Sequence, residues 1–206
     1  MTSPDTVACC AIAQNIANFA FRDEGRWEAL RDLFHPQALI AVSWYRGSID
    51  GFIDASRGMA GAPEVLTKHW FGTPRIKLDG RRALSEVDVA IKVRSKIGKL
   101  EVDVTSYTRF FDRFEQCADG CWRIVDRTAI YEQDRIDPVQ PSLLFGFLYR
   151  LARFDRYPAE YRHLAFGLDR KGLRLAEGTV VAHSVEEAAL KSAATNWLTD
   201  FASQQA

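Results

Sequence analysis

From Lys99 to Tyr131 the chain reads KLEVDVTSYTRFFDRFEQCADGCWRIVDRTAIY. Leu100, Val102, Val104, Ser106, Thr108 and Phe110 alternate along the first sixteen positions, the period of a strand with one buried face, and place Arg109 on the opposite face. Ala118-Asp119-Gly120 supplies turn residues, and Trp122 to Tyr131 returns as a second strand. A turn this short forces antiparallel pairing. Upstream, His69 to Leu78 and Ala83 to Val93 read as two more strands joined at Asp79-Gly80. The centre of the chain is therefore an antiparallel meander.

The first 60 positions have a different rhythm. A helix is predicted from Pro4 to Arg22, capped by Asp5 or Thr6, with Ile12, Ile16, Phe19 and Ala20 at spacings of three and four. Asp23 continues that stripe. Gly25 breaks it, and a second short helix carries Trp27, Leu30, Leu33 and Phe34 until His35-Pro36 ends it. Leu39 to Tyr45 reads as a strand. Ser48 or Asp50 caps a third helix holding Phe52, Ile53 and Met59, closed by Gly58, Gly61 and Pro63. Helices followed by a meander predict an α+β arrangement with the helices against one face of a bent sheet.

Asp137-Pro138 and Gln140-Pro141 mark a boundary, giving a main domain over 1–136 and an extension over 137–206 packed on it. The extension holds three helical stretches, Ser142 to Arg153, Pro158 to Leu168 and Ser184 to Ala202; Ser184 and Glu187 form a capping-box pattern.

Lys plus Arg and Asp plus Glu both number 27 in 206 residues, so no basic field exists to gather nucleic acid or anionic lipid. With 47% apolar residues the chain is far too hydrophobic for disorder. Its longest apolar run, Leu143 to Leu148, falls well short of the ~20 residues that span a bilayer. The opening Met-Thr-Ser-Pro-Asp has no basic region followed by an apolar stretch, so a cytoplasmic protein is expected. Cys9, Cys10, Cys117 and Cys121 fit no zinc spacing and read as packing cysteines, so no metal site is expected. Dinucleotide-binding, phosphate-loop and nucleophile-elbow signatures are absent.

Two residues remain in suggestive places. Asp23 stands on the inward stripe of the first helix; pairing with Arg22 or Arg26, or capping the next helix, accounts for it equally well. His69 stands beside Trp70 and Phe71 at a strand start, where a hydrogen-bonded core histidine is the competing reading.

The order of several short motifs sharpens this. Asp23-Glu24-Gly25-Arg26-Trp27-Glu28-Ala29-Leu30, Leu33-Phe34-His35-Pro36, Gly51-Phe52-Ile53, Lys68-His69, Arg109 to Glu115 and Gly120 to Ile124 together resemble SnoaL-like proteins. These form the scytalone dehydratase-like branch of the nuclear transport factor 2-like superfamily, and the resemblance covers roughly residues 8 to 135. Tyr157-Pro158-x-x-Tyr161-Arg162 resembles an extension of some bacterial members. The resemblance implies a cone-shaped α+β barrel, a strongly curved antiparallel sheet wrapped around the N-terminal helices, with a pocket at its wide end. It also implies a helix aspartate and a strand histidine facing each other there, which by motif position are Asp23 and His69. Scytalone dehydratase has a tyrosine immediately before its aspartate, where this chain has Arg22. Tyr45 and Tyr131 remain as hydroxyl donors.

On this basis His69 is the expected general acid/base, its imidazolium stabilised and its ring oriented by Asp23. Trp27, Trp44, Trp70, Thr108, Phe110 and Arg127 are the candidate pocket-wall residues; core packing competes for the aromatics, and a solvated or subunit-contact role for Arg127. The implied function is a cofactor-independent lyase or dehydratase acting on a small hydroxylated aromatic or polycyclic compound, with lignin-derived diaryl compounds as a sharper option. Aldol-type cleavage, isomerisation and cyclisation are neighbouring chemistries. The alternative is a ligand-binding or structural subunit, such as the small subunit of a ring-hydroxylating dioxygenase. A homo-oligomer, dimer or trimer, is expected.

Overall fold

The computed structural model describes residues 3–60 and 66–200. Helix α1 spans Pro4–Asn18 and is capped by Ser3, whose Oγ accepts the Thr6 N–H at 3.2 Å. The cap precedes Asp5 and Thr6 because Pro4, which lacks an N–H, suits the first helical turn. The helix then tightens into a 3-10 turn over Phe19–Arg22 that ends at Asp23. Ile12, Ile16 and Phe19 are buried on one stripe. Asn15 on that helix donates to the carbonyls of Leu33 and Trp122, pinning α1 to the sheet.

Helix α2 covers only Trp27–Asp32; Phe34, predicted as helical, begins strand β1 (Phe34–Val42). β1 lies parallel to the much later strand β7 (Trp122–Pro138), with its register broken between Phe34 and Leu39. Pro36, which cannot donate to a ladder, falls within that break. A hairpin leads into β2 (Tyr45–Ser48), and helix α3 (Ile49–Ala60) follows, with Ser48 Oγ accepting the Gly51 N–H. The expected closure of this helix at Gly61 and Pro63 lies outside the described residues.

The strand predicted from His69 to Leu78 is two strands, β3 (Leu66–Phe71) and β4 (Arg75–Asp79), interrupted where Gly72 donates its N–H to the Asp88 carbonyl. Both pair with the same edge of β5 (Arg82–Ile97), β4 with its first third and β3 with its second half. β6 (Leu100–Gln116) and β7 complete the meander. The order β2-β1-β7-β6-β5-β3 leaves β2 and β3 unpaired with each other, so the curved sheet stays open.

One face of the sheet packs on α1 and α3 through Phe19, Phe52, Phe110 and Phe114. Phe111, opposite in phase to Phe110, lies on the other face with Leu84 and Ile130, covered by helix α6 (Val185–Thr199). Before it come helix α4 (Leu143–Leu151), helix α5 (Arg162–Asp169) and strand β8 (Val180–Val181), which pairs parallel to β7. α5 starts later than Pro158 because Asp134 of β7 accepts the N–H groups of His163 and Leu164, capping its first turn from across the fold. Ser184 caps α6 as read, but the Glu187 carboxylate reaches back to the N–H of His183 instead of that of Ser184. No helix among the described residues is long and apolar enough to cross a membrane.

Candidate active site

Asp23 follows the last residue of the 3-10 turn, four positions after Phe19, so it inherits the inward direction of the α1 stripe. His69 sits on β3, the last strand of the sheet, whose free edge carries unpaired N–H groups. Asp23 takes one of them. Its Oδ2 accepts the His69 backbone N–H at 2.8 Å, and ring Nδ1 lies 2.8 Å from Oδ1 and 3.0 Å from Oδ2. The side chains are 3% and 6% exposed. Phe19 meets the imidazole edge-on, with centroids 5.7 Å apart, and Phe71 lies nearly parallel to it at 6.3 Å. The ring is thus held by a carboxylate and by packing together.

Burial alone would raise the Asp23 pKa, but the hydrogen bonds and charge of His69, with Arg22 beside it, bring it below the ordinary carboxylate value. Burial lowers the pKa of His69, Asp23 opposes, and the positive charges of Arg22 and Arg127 add to the lowering. Asp23 does favour the imidazolium, as read, but burial outweighs it; with the net direction downward from 6.5, the neutral ring is the favoured form near neutral pH. Since an ionised Asp23 can only accept, Nδ1 carries the proton and Nε2 holds a lone pair. Nε2 has no hydrogen-bond partner among the described residues.

Both residues line a cavity of about 230 Å³. Phe19, Trp27, Trp44, Phe52 and Phe110 form aromatic walls, and α5 closes one side with Leu164, Gly167 and Leu168. Tyr131 is buried there, accepting the Ser43 N–H and donating to Ser43 Oγ, each at 3.0 Å. Burial raises its pKa, so it remains a neutral hydroxyl.

Of the residues read from sequence, Asp23, His69, Tyr131, Trp27, Trp44 and Phe110 meet at this cavity. The other four do not. The hairpin after Val42 puts Tyr45 on β2, where its hydroxyl donates to the Ser48 carbonyl and packs close over Gly51. Trp70 alternates with His69 along β3 and is 55% exposed. Thr108 Oγ1 donates to the Ile130 carbonyl at 2.6 Å, at a register break between β6 and β7. Arg127 is fully buried in a two-armed ion pair with Asp112, both bonds 2.7 Å, and stacks behind Phe19 and Phe110. It tunes His69 through space but does not reach the cavity surface.

Arg22, Ser43, Ser56, His163 and Lys171 also line the cavity. Arg22 was signalled only by its position beside Asp23. His163 repeats the grip seen at His69: Asp134 binds both its Nδ1 and its backbone N–H at 2.7 Å, while Nε2 lies 3.1 Å from the Tyr149 hydroxyl. No local pattern links Asp134 to a histidine 29 positions later. No cluster of three or more His, Cys, Asp or Glu side chains suited to a metal ion occurs among the described residues.

The sequence profile of the SnoaL-like domain matches residues 11–128, more than half of the chain, including Asp23 and His69. The chain belongs to the SnoaL-like family. This SnoaL-like protein is 30% identical to Pea pathogenicity protein 2 of Fusarium vanettenii over 198 residues, 87% of this chain and 80% of that protein. Its fold is similar to that of a proposed scytalone dehydratase from Novosphingobium aromaticivorans, with a TM-score of 0.57, 18% identity, and 69% and 99% of the two chains covered. A type 2 hexachlorocyclohexane dehydrochlorinase superposes with a TM-score of 0.54 at 14% identity, covering 67% and 93%. At these identities the likeness speaks for the shared SnoaL-like fold, the unclosed curved sheet around N-terminal helices.

Proposed function

We propose that this SnoaL-like protein is a lyase that eliminates water from a small hydroxylated aromatic or polycyclic ketone. The observation that carries the reading is the buried Asp23–His69 pair, with a neutral imidazole whose Nε2 is uncommitted beside an aromatic cavity. Nε2 removes a proton from the carbon next to the carbonyl, and negative charge passes to the carbonyl oxygen. That charge is met by the Tyr131 hydroxyl, whose single O–H turns from Ser43 Oγ to the oxygen. As the carbon–carbon double bond forms, the carbon–oxygen bond of the β-hydroxyl breaks, and the imidazolium returns its proton to the departing hydroxide as water. Asp23 holds the ring and balances its transient charge. A flat substrate suits the walls formed by Trp44, Phe52 and Phe110. Two structural neighbours are named for eliminations, which supports the lyase class.

An aldol-type cleavage would use the same Nε2 to take the hydroxyl proton, and its products differ. Assembly as a dimer or trimer belongs to the same reading and is supported by the apolar outer side of α4, where Leu143 is 99% exposed beside Leu144, Phe147 and Leu151. A cytoplasmic setting is supported by four free cysteines. The test is turnover of a panel of aromatic-fused β-hydroxy ketones, followed by absorbance of the conjugated product and by mass. His69→Ala should lower kcat/KM about 10²–10⁴-fold. Turnover unchanged in that variant would remove the assigned base.

A further inference from the structure

The charges around the cavity are unbalanced. Arg22, Asp23 and Lys171 are the charged side chains among its described lining residues, and His69 is neutral. Asp23 is already engaged by His69, with Oδ1 accepting from Nδ1 and Oδ2 from the backbone N–H. Arg22 is left with one contact to it, at 3.4 Å, although its own side chain is only 14% exposed. Its guanidinium stands 5.9 Å from the Phe52 ring, a weak partner for a group with five N–H donors. Burying so poorly paired a cation is unfavourable unless something else supplies the missing acceptors. Lys171, just past the end of α5, adds a second positive charge on the same cavity, close enough that Arg22 and Lys171 repel.

A second, independent observation lies one helical turn along α3 from Phe52. Ser56 is 2% exposed and lines the cavity, yet its Oγ has no hydrogen-bond partner among the described residues. A buried hydroxyl on a cavity wall without a partner is a group that a polar ligand atom would satisfy.

We propose that the cavity takes an anionic substrate, an aromatic carboxylic acid whose carboxylate is held by Arg22 and Lys171. The inference rests on the cavity being the substrate site of the proposed lyase, and it narrows the substrate class of that reaction. A guanidinium matches a carboxylate with two parallel N–H···O bonds, which the single 3.4 Å contact to Asp23 does not provide. The ammonium of Lys171 closes the other side of the anion, and Ser56 Oγ meets a second polar group of the same ligand. Placing the carboxylate beside residue 22 keeps the ring of the ligand among Trp44, Phe52 and Phe110, with His69 free to act on it.

The test is calorimetric titration of the full chain with 2-naphthoate and with its neutral isostere, 2-naphthamide. Wild-type protein should bind the carboxylate on the order of tenfold to a hundredfold more tightly than the amide, the span of a charge-assisted pair. Arg22→Gln should remove most of that preference, Arg22→Lys should keep part of it, and Lys171→Gln should reduce it without touching a buried group. Thermal melting of each variant confirms that it folds. His69→Ala should keep the preference while losing turnover of the ketone panel, so the carboxylate site and the lyase chemistry are judged separately. Equal binding of the two probes by wild type, or an undiminished preference in both Arg22→Gln and Lys171→Gln, would overturn the proposal.

Discussion

Replacing Asp23 with asparagine changes the charge and hydrogen-bond direction at one position while nearly conserving shape. The carboxylate accepts from two donors, the His69 backbone N–H at 2.8 Å and ring Nδ1 at 2.8 and 3.0 Å. An amide offers one acceptor oxygen and one donor NH₂, so both cannot be satisfied as they stand. If the NH₂ group faces the backbone N–H, two donors oppose each other out of water, at a cost of about 1–3 kcal/mol. The cheaper arrangement puts the amide oxygen on the backbone N–H and the NH₂ group on Nδ1. Nδ1 must then be an acceptor, and the proton moves to Nε2. The histidine stays in place but loses its lone pair toward the cavity. Stability should fall by about 1–2 kcal/mol, lowering Tm by about 2–8 °C at this chain length. Turnover should fall roughly 10²–10⁴-fold, as when a triad aspartate becomes asparagine and fixes the wrong tautomer. Long-range nitrogen–proton correlation spectra of the imidazole read the tautomer directly, without a substrate. Wild type should show a protonated Nδ1 and a bare Nε2, and Asp23→Asn the reverse. An unchanged tautomer with turnover within threefold of wild type would refute the reasoning.

Because burial holds the His69 pKa below its ordinary 6.5, the acid limb of kcat/KM should have its midpoint below pH 6.5, and stability should fall as pH drops from 6.5 through that midpoint, since the unfolded chain binds the proton first. Nuclear magnetic resonance titration of the His69 ring checks the first, and denaturant melts across that range the second. Arg127→Met should cost about 3–5 kcal/mol in urea unfolding by stranding the buried Asp112 carboxylate, whereas Arg127→Met with Asp112→Leu should recover most of it. Glu187 is pushed up by burial but brought down to about 2 by Lys191, the His183 N–H and Arg109. Its stabilisation is complete above its ordinary 4.5 and lost as pH falls through about 2. The stability gap between wild type and Glu187→Gln, about 1 kcal/mol at neutral pH, should therefore close in acid melts.

The meander was readable because two-residue alternation persists along β5, β6 and β7, and a one-residue slip would expose a whole buried face. Ser184 was readable as a cap because its partner, the Glu187 N–H, is three residues away. The elements missed are those whose cause lies far off in the chain. β8 has two residues and exists because β7 offers an edge beside Ile130 and Tyr131. β1 runs back to Phe34 because β7 pairs with it in parallel, overriding a local helical pattern. Asp134 resets the start of α5 by capping it from another element.

At the cavity the division is the same. Sequence alone marked Asp23 as a carboxylate on an apolar stripe and named His69, through residue type, spacing and motif order. Tyr45, Trp70, Thr108 and Arg127 share those local virtues and stand elsewhere, because strand phase at a hairpin and satisfaction by a distant partner such as Asp112 are not written in neighbouring residues. Periodicity and caps supplied by near neighbours, such as Ser184, depend on contacts within a few positions, so the chain specifies them by itself. Which histidine nitrogen is bare, which arginine is half-satisfied and which hydroxyl has no partner among the described residues depend on side chains far apart in the chain, 46 positions for Asp23 and His69 and 88 for Ser43 and Tyr131, sharing one desolvated space. Only the folded chain excludes the water that would otherwise make those differences vanish.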